Sequence, residues 1–170
     1  MGVYSSSEVA KNFCYTKSMD ISIRKATTKG LATVVGWIMM HQEDAAKTEL
    51  RNAMQNPKKE RENIAQGLAD TRNNTYFLAL VNDKVIGIVR AKIAAPLVGI
   101  RRGQIKSLHV DKKYRRKGIG RMLIEETIQW LKGKKVDTAE IVIRYNNIAS
   151  QAAFRKYKPK PWFTISTFKI

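Results

Sequence analysis

Between Leu108 and Arg121 the sequence reads Leu-His-Val-Asp-Lys-Lys-Tyr-Arg-Arg-Lys-Gly-Ile-Gly-Arg. Six of the ten residues from Lys112 to Arg121 are Lys or Arg, so the stretch is suited to a multiply charged anion. Gly118 and Gly120 lack Cβ, which lets a phosphate come close to the backbone. The first turn of a following helix adds unpartnered N–H groups and the positive end of its dipole. The chemistry these residues imply is a cradle for a pyrophosphate. A solvated basic turn capping a helix has a similar composition, so placement must decide. Here the turn follows an apolar strand ending at Val110 and precedes an amphipathic segment, Met122 to Lys132. The spacing Arg-x-x-Gly-x-Gly is neither the Gly-x-x-x-x-Gly-Lys-Ser/Thr phosphate loop nor the Gly-x-Gly-x-x-Gly dinucleotide fingerprint.

The elements that must position this turn can be read in chain order. Ile21 to Arg24 alternates as a first strand. A helix is expected from Lys29 to His41, with Thr28 as its cap and Leu31, Val34, Val35, Ile38 and Met39 on one face. A second helical region runs from about Ala45 to Ala69, with a break near Asn56-Pro57. Thr75 to Val81 and Val85 to Ile93 form a hairpin about Asn82-Asp83-Lys84. Gln104 to Val110 is the strand before the turn. In the helix after it, Leu123, Ile124, Ile128 and Leu131 face inward, and Gly133 ends it. Ala139 to Arg144 is a further strand, Ser150 to Tyr157 a short helix, and Trp162 to Ile170 a last strand. The order is β-αα-βββ-α-β-α-β, an α/β chain of α+β type. Residues 1–20 read as a flexible extension and residues 21–170 as one domain.

Composition narrows the function. The longest apolar run, Leu31 to Met40, is short of the roughly 20 residues a membrane helix needs. Cys14 is the one cysteine, and His41 and His109 are the two histidines, so neither a disulfide nor a metal site is expected. A cytoplasmic location fits that pattern. The formal net charge is +18 and lopsided. From Lys84 onward there are 21 Lys or Arg against 5 Asp or Glu, and before it 11 against 9. Such a field draws anions. A nucleic-acid partner is possible on charge, but no recognition motif supports one.

Leu-x-Val followed by Tyr-Arg-x-x-Gly-Ile-Gly-x-x-Leu resembles the central motif of the GNAT superfamily of N-acetyltransferases. The family continues Leu-x-Val-x-x-x-Asn-x-x-Ala-x-x-x-Tyr-x-x-x-Gly-Phe. This chain has Ile141, Ile143, Asn147, Ser150, Phe154, Lys158 and Pro159 at those places. The resemblance implies a mixed, mostly antiparallel sheet flanked by helices. It implies acetyl-CoA as co-substrate and a primary amine as acceptor, in a monomer or homodimer without a metal. Leu108, His109 and Val110 would pair with the pantetheine arm. Arg115, Arg116, Lys117, Gly118, Ile119, Gly120 and Arg121 would hold the pyrophosphate, with Asn147 and Phe154 along the coenzyme. The junction of the first two helices, at His41 to Asp44, would wall the acceptor site.

The side-chain catalysts depart from the family pattern. A Tyr that protonates the leaving thiolate is replaced by Phe154. Tyr157, one turn later, is the substitute candidate, although its position is usually one of core packing. The base positions hold Lys106 and Val142. Glu140 is the candidate base, with a salt bridge as its other reading. Direct attack in a ternary complex is expected, since no covalent nucleophile is evident. A non-catalytic acyl-CoA-binding module and a basic ribosome- or RNA-associated protein are the alternatives.

Overall fold

The computed structural model describes residues 20–46, 57–143 and 145–161. Five strands form one sheet in the order β1-β2-β3-β4-β5: Ser22–Lys25, Asn74–Val81, Lys84–Ile93, Arg102–Val110 and Thr138–Ile141. The first four pair antiparallel, and β5 lies parallel to β4. A parallel neighbour needs a crossover, and α3 (Ile119–Gly133) supplies it. The mixed, mostly antiparallel sheet is the architecture expected from the sequence.

The β2–β3 hairpin closes through Asn82 and Asp83, both with positive φ (47° and 59°). That is the type I′ geometry whose twist matches the strands, and Asn and Asp tolerate it. Two apolar layers then form on opposite faces. Leu123, Ile124 and Leu131 of α3 pack on Phe77, Ala79, Val89 and Ile105. Val34, Val35 and Ile38 of α1 (Leu31–Ala46) and Ile64 and Leu68 of α2 (Pro57–Ala69) pack on Tyr76, Leu78, Leu80 and Ile88. Each large side chain so buried stabilises by roughly 1.5–3 kcal/mol. Gly103 brings α3 close: a Cβ there would lie 2.4 Å from Leu131 Cδ2.

Several boundaries differ from the sequence expectation. Thr28 lies inside a short 3-10 turn, Thr28–Gly30, rather than capping a helix. The first helix runs on to Ala46, so His41 to Asp44 fall within it and not at a junction. No Gly or Pro stops it there, and Ala45-Ala46 favour continuation. The side chains of His41 to Asp44 and residues 47–56 lie outside the described residues, as do 1–19 and the expected last strand, 162–170. The second helix begins at Pro57, a residue suited to the first helical position. Gly133 is the last residue of α3, and Lys135 (φ 55°) takes the left-handed turn instead.

Candidate active site

The sheet is open where β4 and β5 part. Their pairing covers Arg102↔Thr138 to Ile105↔Ile141 and stops there, while β4 continues to Val110. Near the parting point, the register between β3 and β4 slips: Ile88 faces His109, but Arg90 faces Lys106. The extra residue belongs to β4, and Ser107 sits there with φ 51°. A bulge of this kind bends a strand and re-aims its side chains. Beyond it, the Asp111 N–H donates to Ile86 O at 2.9 Å, toward β3. Strand alternation therefore turns the Val110 amide the other way, to the open edge.

The basic turn is tied to that strand end. Asp111 Oδ1 accepts from the Lys113 N–H at 2.9 Å and caps the 3-10 turn Lys112–Tyr114. Arg115 Nε donates to Val110 O, 2.9 Å away. Arg116 (φ 63°) and Gly118 (φ 79°) make two left-handed steps into α3. Met122 N–H donates to Gly118 O, so the N–H groups of residues 119–121 precede the first intrahelical bond. A Cβ on Gly118 would meet nothing within 4 Å, and one on Gly120 only Val110 Cγ2 at 3.9 Å. Nothing among the described residues requires Gly120 to be small, which fits a site where a ligand phosphate approaches the backbone.

The predicted loop residues take different parts. Ile119 is buried in the core, leaving its backbone to the site. The Lys117 ammonium lies over the Tyr114 ring at 5.8 Å. Arg121 Nε donates to Glu125 Oε1 at 2.9 Å. Lys156 also bonds Glu125, and these two cations hold its carboxyl below the usual carboxylate range. This pair fastens the segment after α4 (Ile148–Phe154) to α3.

The other candidates are placed as follows. Asn147 caps α4, its Oδ1 accepting from the Ser150 N–H at 3.0 Å. Phe154 is a core residue, 6% exposed. Tyr157 is 37% exposed, not buried, because a 3-10 turn, Arg155–Tyr157, rotates it off the helix face. Its ring lies 6.5 Å from that of Phe154 and under the Lys156 ammonium at 4.8 Å. Glu140 takes the salt-bridge arrangement. Its Oε1 accepts from Arg102 at 2.9 Å and its Oε2 from Gln104 at 3.2 Å, across the closed part of the β4–β5 pair.

Sequence reasoning passed over a polar face. On the sheet side that α1 and α2 share, those helices cover β2 and Ile88. Farther along, Arg90 and Lys92 of β3 and Arg102, Gln104 and Lys106 of β4 alternate with buried Val89, Ala91, Gly103 and Ile105. Period-two alternation in both strands was the available signal. Burial, with Lys92 and Arg90 adding repulsion, lowers the Lys106 pKa below the ordinary lysine value.

The acetyltransferase (GNAT) family profile matches residues 37–158. N-alpha-acetyltransferase 30 of Xenopus laevis is 35% identical over 82 residues, 48% of this chain and 29% of that protein. The Homo sapiens protein of the same name is 34% identical over 82 residues and is matched over 22% of its length. The chain thus spans well under half of these relatives. Among solved structures, a GCN5-related N-acetyltransferase from Ralstonia eutropha superposes with a TM-score of 0.71 at 18% identity, covering 88% of this chain and 98% of that one. An acetyltransferase from Clostridium acetobutylicum, solved with acetyl-CoA, gives 0.70 at 17% identity over 86% and 96%. A metagenomic aminoglycoside acetyltransferase in complex with sisomicin gives 0.65 at 18% identity over 88% and 95%.

Proposed function

The chain belongs to the acetyltransferase (GNAT) family, and we propose that it transfers the acetyl group of acetyl-CoA to a primary amine by direct attack in a ternary complex. One observation carries the reading: β4 runs on to Val110 past the end of its pairing with β5 and leads directly into a basic turn whose two glycines meet no neighbour closer than 3.9 Å among the described residues. The backbone of Leu108, His109 and Val110 is the edge for the pantetheine amides. Arg115 to Arg121, with Gly118 and Gly120 among them, are assigned to the pyrophosphate, and Asn147 is assigned to the coenzyme arm.

In the reaction, the amine nitrogen forms a bond to the thioester carbon, the C–S bond breaks, the amine loses a proton and the thiolate gains one. The Val110 N–H is assigned to the developing oxyanion, where a fixed donor is worth most. Holding the two reactants together can itself lower the barrier by roughly 7–11 kcal/mol in well-oriented cases. Tyr157, partly exposed, is assigned the proton for the thiolate. Glu140, with both oxygens engaged, is assigned to joining β4 and β5. The sequence relatives named for N-alpha-acetylation favour a peptide N-terminus as the amine.

Calorimetric titration with acetyl-CoA, repeated on Gly118→Asp, tests the coenzyme site, and CoA release across an amine panel tests the transfer. Binding that the carboxylate abolishes, together with CoA release, is the expected result. Binding without release from any acceptor would leave the non-catalytic acyl-CoA module as the better reading.

A further inference from the structure

We propose that the basic face of β3 and β4 selects acceptors with negative charge beside the reacting amine, the fitting class being a peptide N-terminus followed by acidic side chains. This deepens the acetyl-transfer reading and rests on it for where the amine is held.

Arg90 lies directly across from Lys106, and Lys92 across from Gln104. Like charges opposite one another on a sheet face destabilise it. Among the described residues, the nearby acids offset it only in part. Glu140 is engaged by Arg102 and Gln104. Asp70 bonds Asn73 and Asn74. Arg90 meets the side-chain oxygen of Asn74 at 2.9 Å and stacks over Tyr76 at 5.4 Å, both neutral partners. Its Nε and that of Arg102 are buried without an acceptor. Burial first, and then repulsion from Lys92 and Arg90, lowers the Lys106 pKa.

Position makes this face relevant to the acceptor. α3 packs on the opposite face of β4, and on the α1/α2 side Lys106 is exposed. Lys106 lies four residues before Val110. At about 3.3 Å per residue that is roughly 13 Å, the span of three or four residues of extended peptide. Side chains at the second to fourth positions of such a peptide reach Lys106, Lys92 and Arg90. A polycationic acceptor such as an aminoglycoside meets repulsion here.

The test uses the full chain and three peptides that differ at positions two to four: Glu, Gln or Lys. CoA release gives kcat/KM for each, and calorimetry gives their affinities for the CoA-saturated protein. The expected result is about a tenfold preference for the Glu over the Gln peptide in both measurements, the scale of two or three exposed ion pairs. Lys92→Glu and Lys106→Glu should each shrink that preference, while acetyl-CoA affinity stays unchanged. Equal values for the three peptides, or a preference for the Lys peptide, would overturn this inference and leave the transfer reading standing. Loss of acetyl-CoA binding by the unmodified protein would instead remove the reading beneath it.

Discussion

Arg115 reaches back from the basic turn to donate its Nε proton to the carbonyl oxygen of Val110, 2.9 Å away. The bond spans five residues and closes the corner between the strand edge and the phosphate turn. That bond fixes the Val110 peptide, and in the proposed coenzyme site Arg115 would also meet the pyrophosphate. Arg115→Ala removes both. The bond is exposed, so stability should fall by no more than about 0.5–1.5 kcal/mol. Acetyl-CoA affinity should fall at least about tenfold, or 1.4 kcal/mol. Arg115→Lys should recover only part of it, because an ammonium lacks the planar fork. Calorimetry on the three proteins checks this; unchanged affinity in Arg115→Ala would confine the residue to a structural role.

Gly120 separates ligand binding from folding more cleanly. Among the described residues a methyl group there would touch only Val110 Cγ2 at 3.9 Å, an ordinary contact, and the residue lies in α3 with no left-handed φ. Alanine should therefore hold or raise the melting temperature, with a helix gain of up to about 1 kcal/mol. In the proposed pyrophosphate site the same methyl group would take space the phosphate needs, so acetyl-CoA affinity should fall. Thermal unfolding without ligand and titration with acetyl-CoA should move in opposite directions. Unchanged coenzyme affinity would take the pyrophosphate off this backbone.

The two residues raised as catalysts should separate in the same way. Tyr157→Phe removes a partly exposed hydroxyl and should leave stability and acetyl-CoA affinity alone. If that hydroxyl protonates the thiolate, kcat should fall by roughly 100-fold or more. Glu140→Ala should do the reverse. It strands Arg102 and Gln104, whose partner is 18% exposed in its side chain, and should cost about 1–3 kcal/mol of stability with little loss of kcat in the folded protein. Full activity in Tyr157→Phe would assign the proton to solvent.

The legible parts of the fold were those set by local chemistry. Asn82-Asp83 marked the hairpin, and the spacing of Leu123, Ile124 and Leu131 set the inward face of α3. What escaped depends on pairing across the sheet. Nothing in Lys106-Ser107-Leu108 marks Ser107 as the bulge, since serine has no particular liking for φ 51°. Arg90 and Lys106 are sixteen residues apart in sequence and become neighbours only through the register that bulge creates. Tyr157 was misjudged for a similar reason: a straight helix would have buried it, and the 3-10 turn at Arg155–Tyr157 does not.

The Lys106 ammonium gives that register a measurable consequence. Its pKa is lowered from 10.5 by burial first, then by Lys92 and Arg90, with Glu140 opposing weakly. In the unfolded chain the ordinary value returns. Between the folded value and 10.5 the unfolded state therefore binds more protons than the folded one, and stability from this group rises with pH across that window. Below the folded value the destabilisation is fully present. The Lys106 side-chain carbon signal in a pH titration should show a midpoint under 10.5, and Lys92→Gln should move it upward by removing one repulsive charge. An acidic peptide bound on the same face should move it upward too, because a carboxylate beside the ammonium favours the protonated form. A midpoint at or above 10.5 without peptide would mean that this face carries no surplus positive charge for an acceptor to meet.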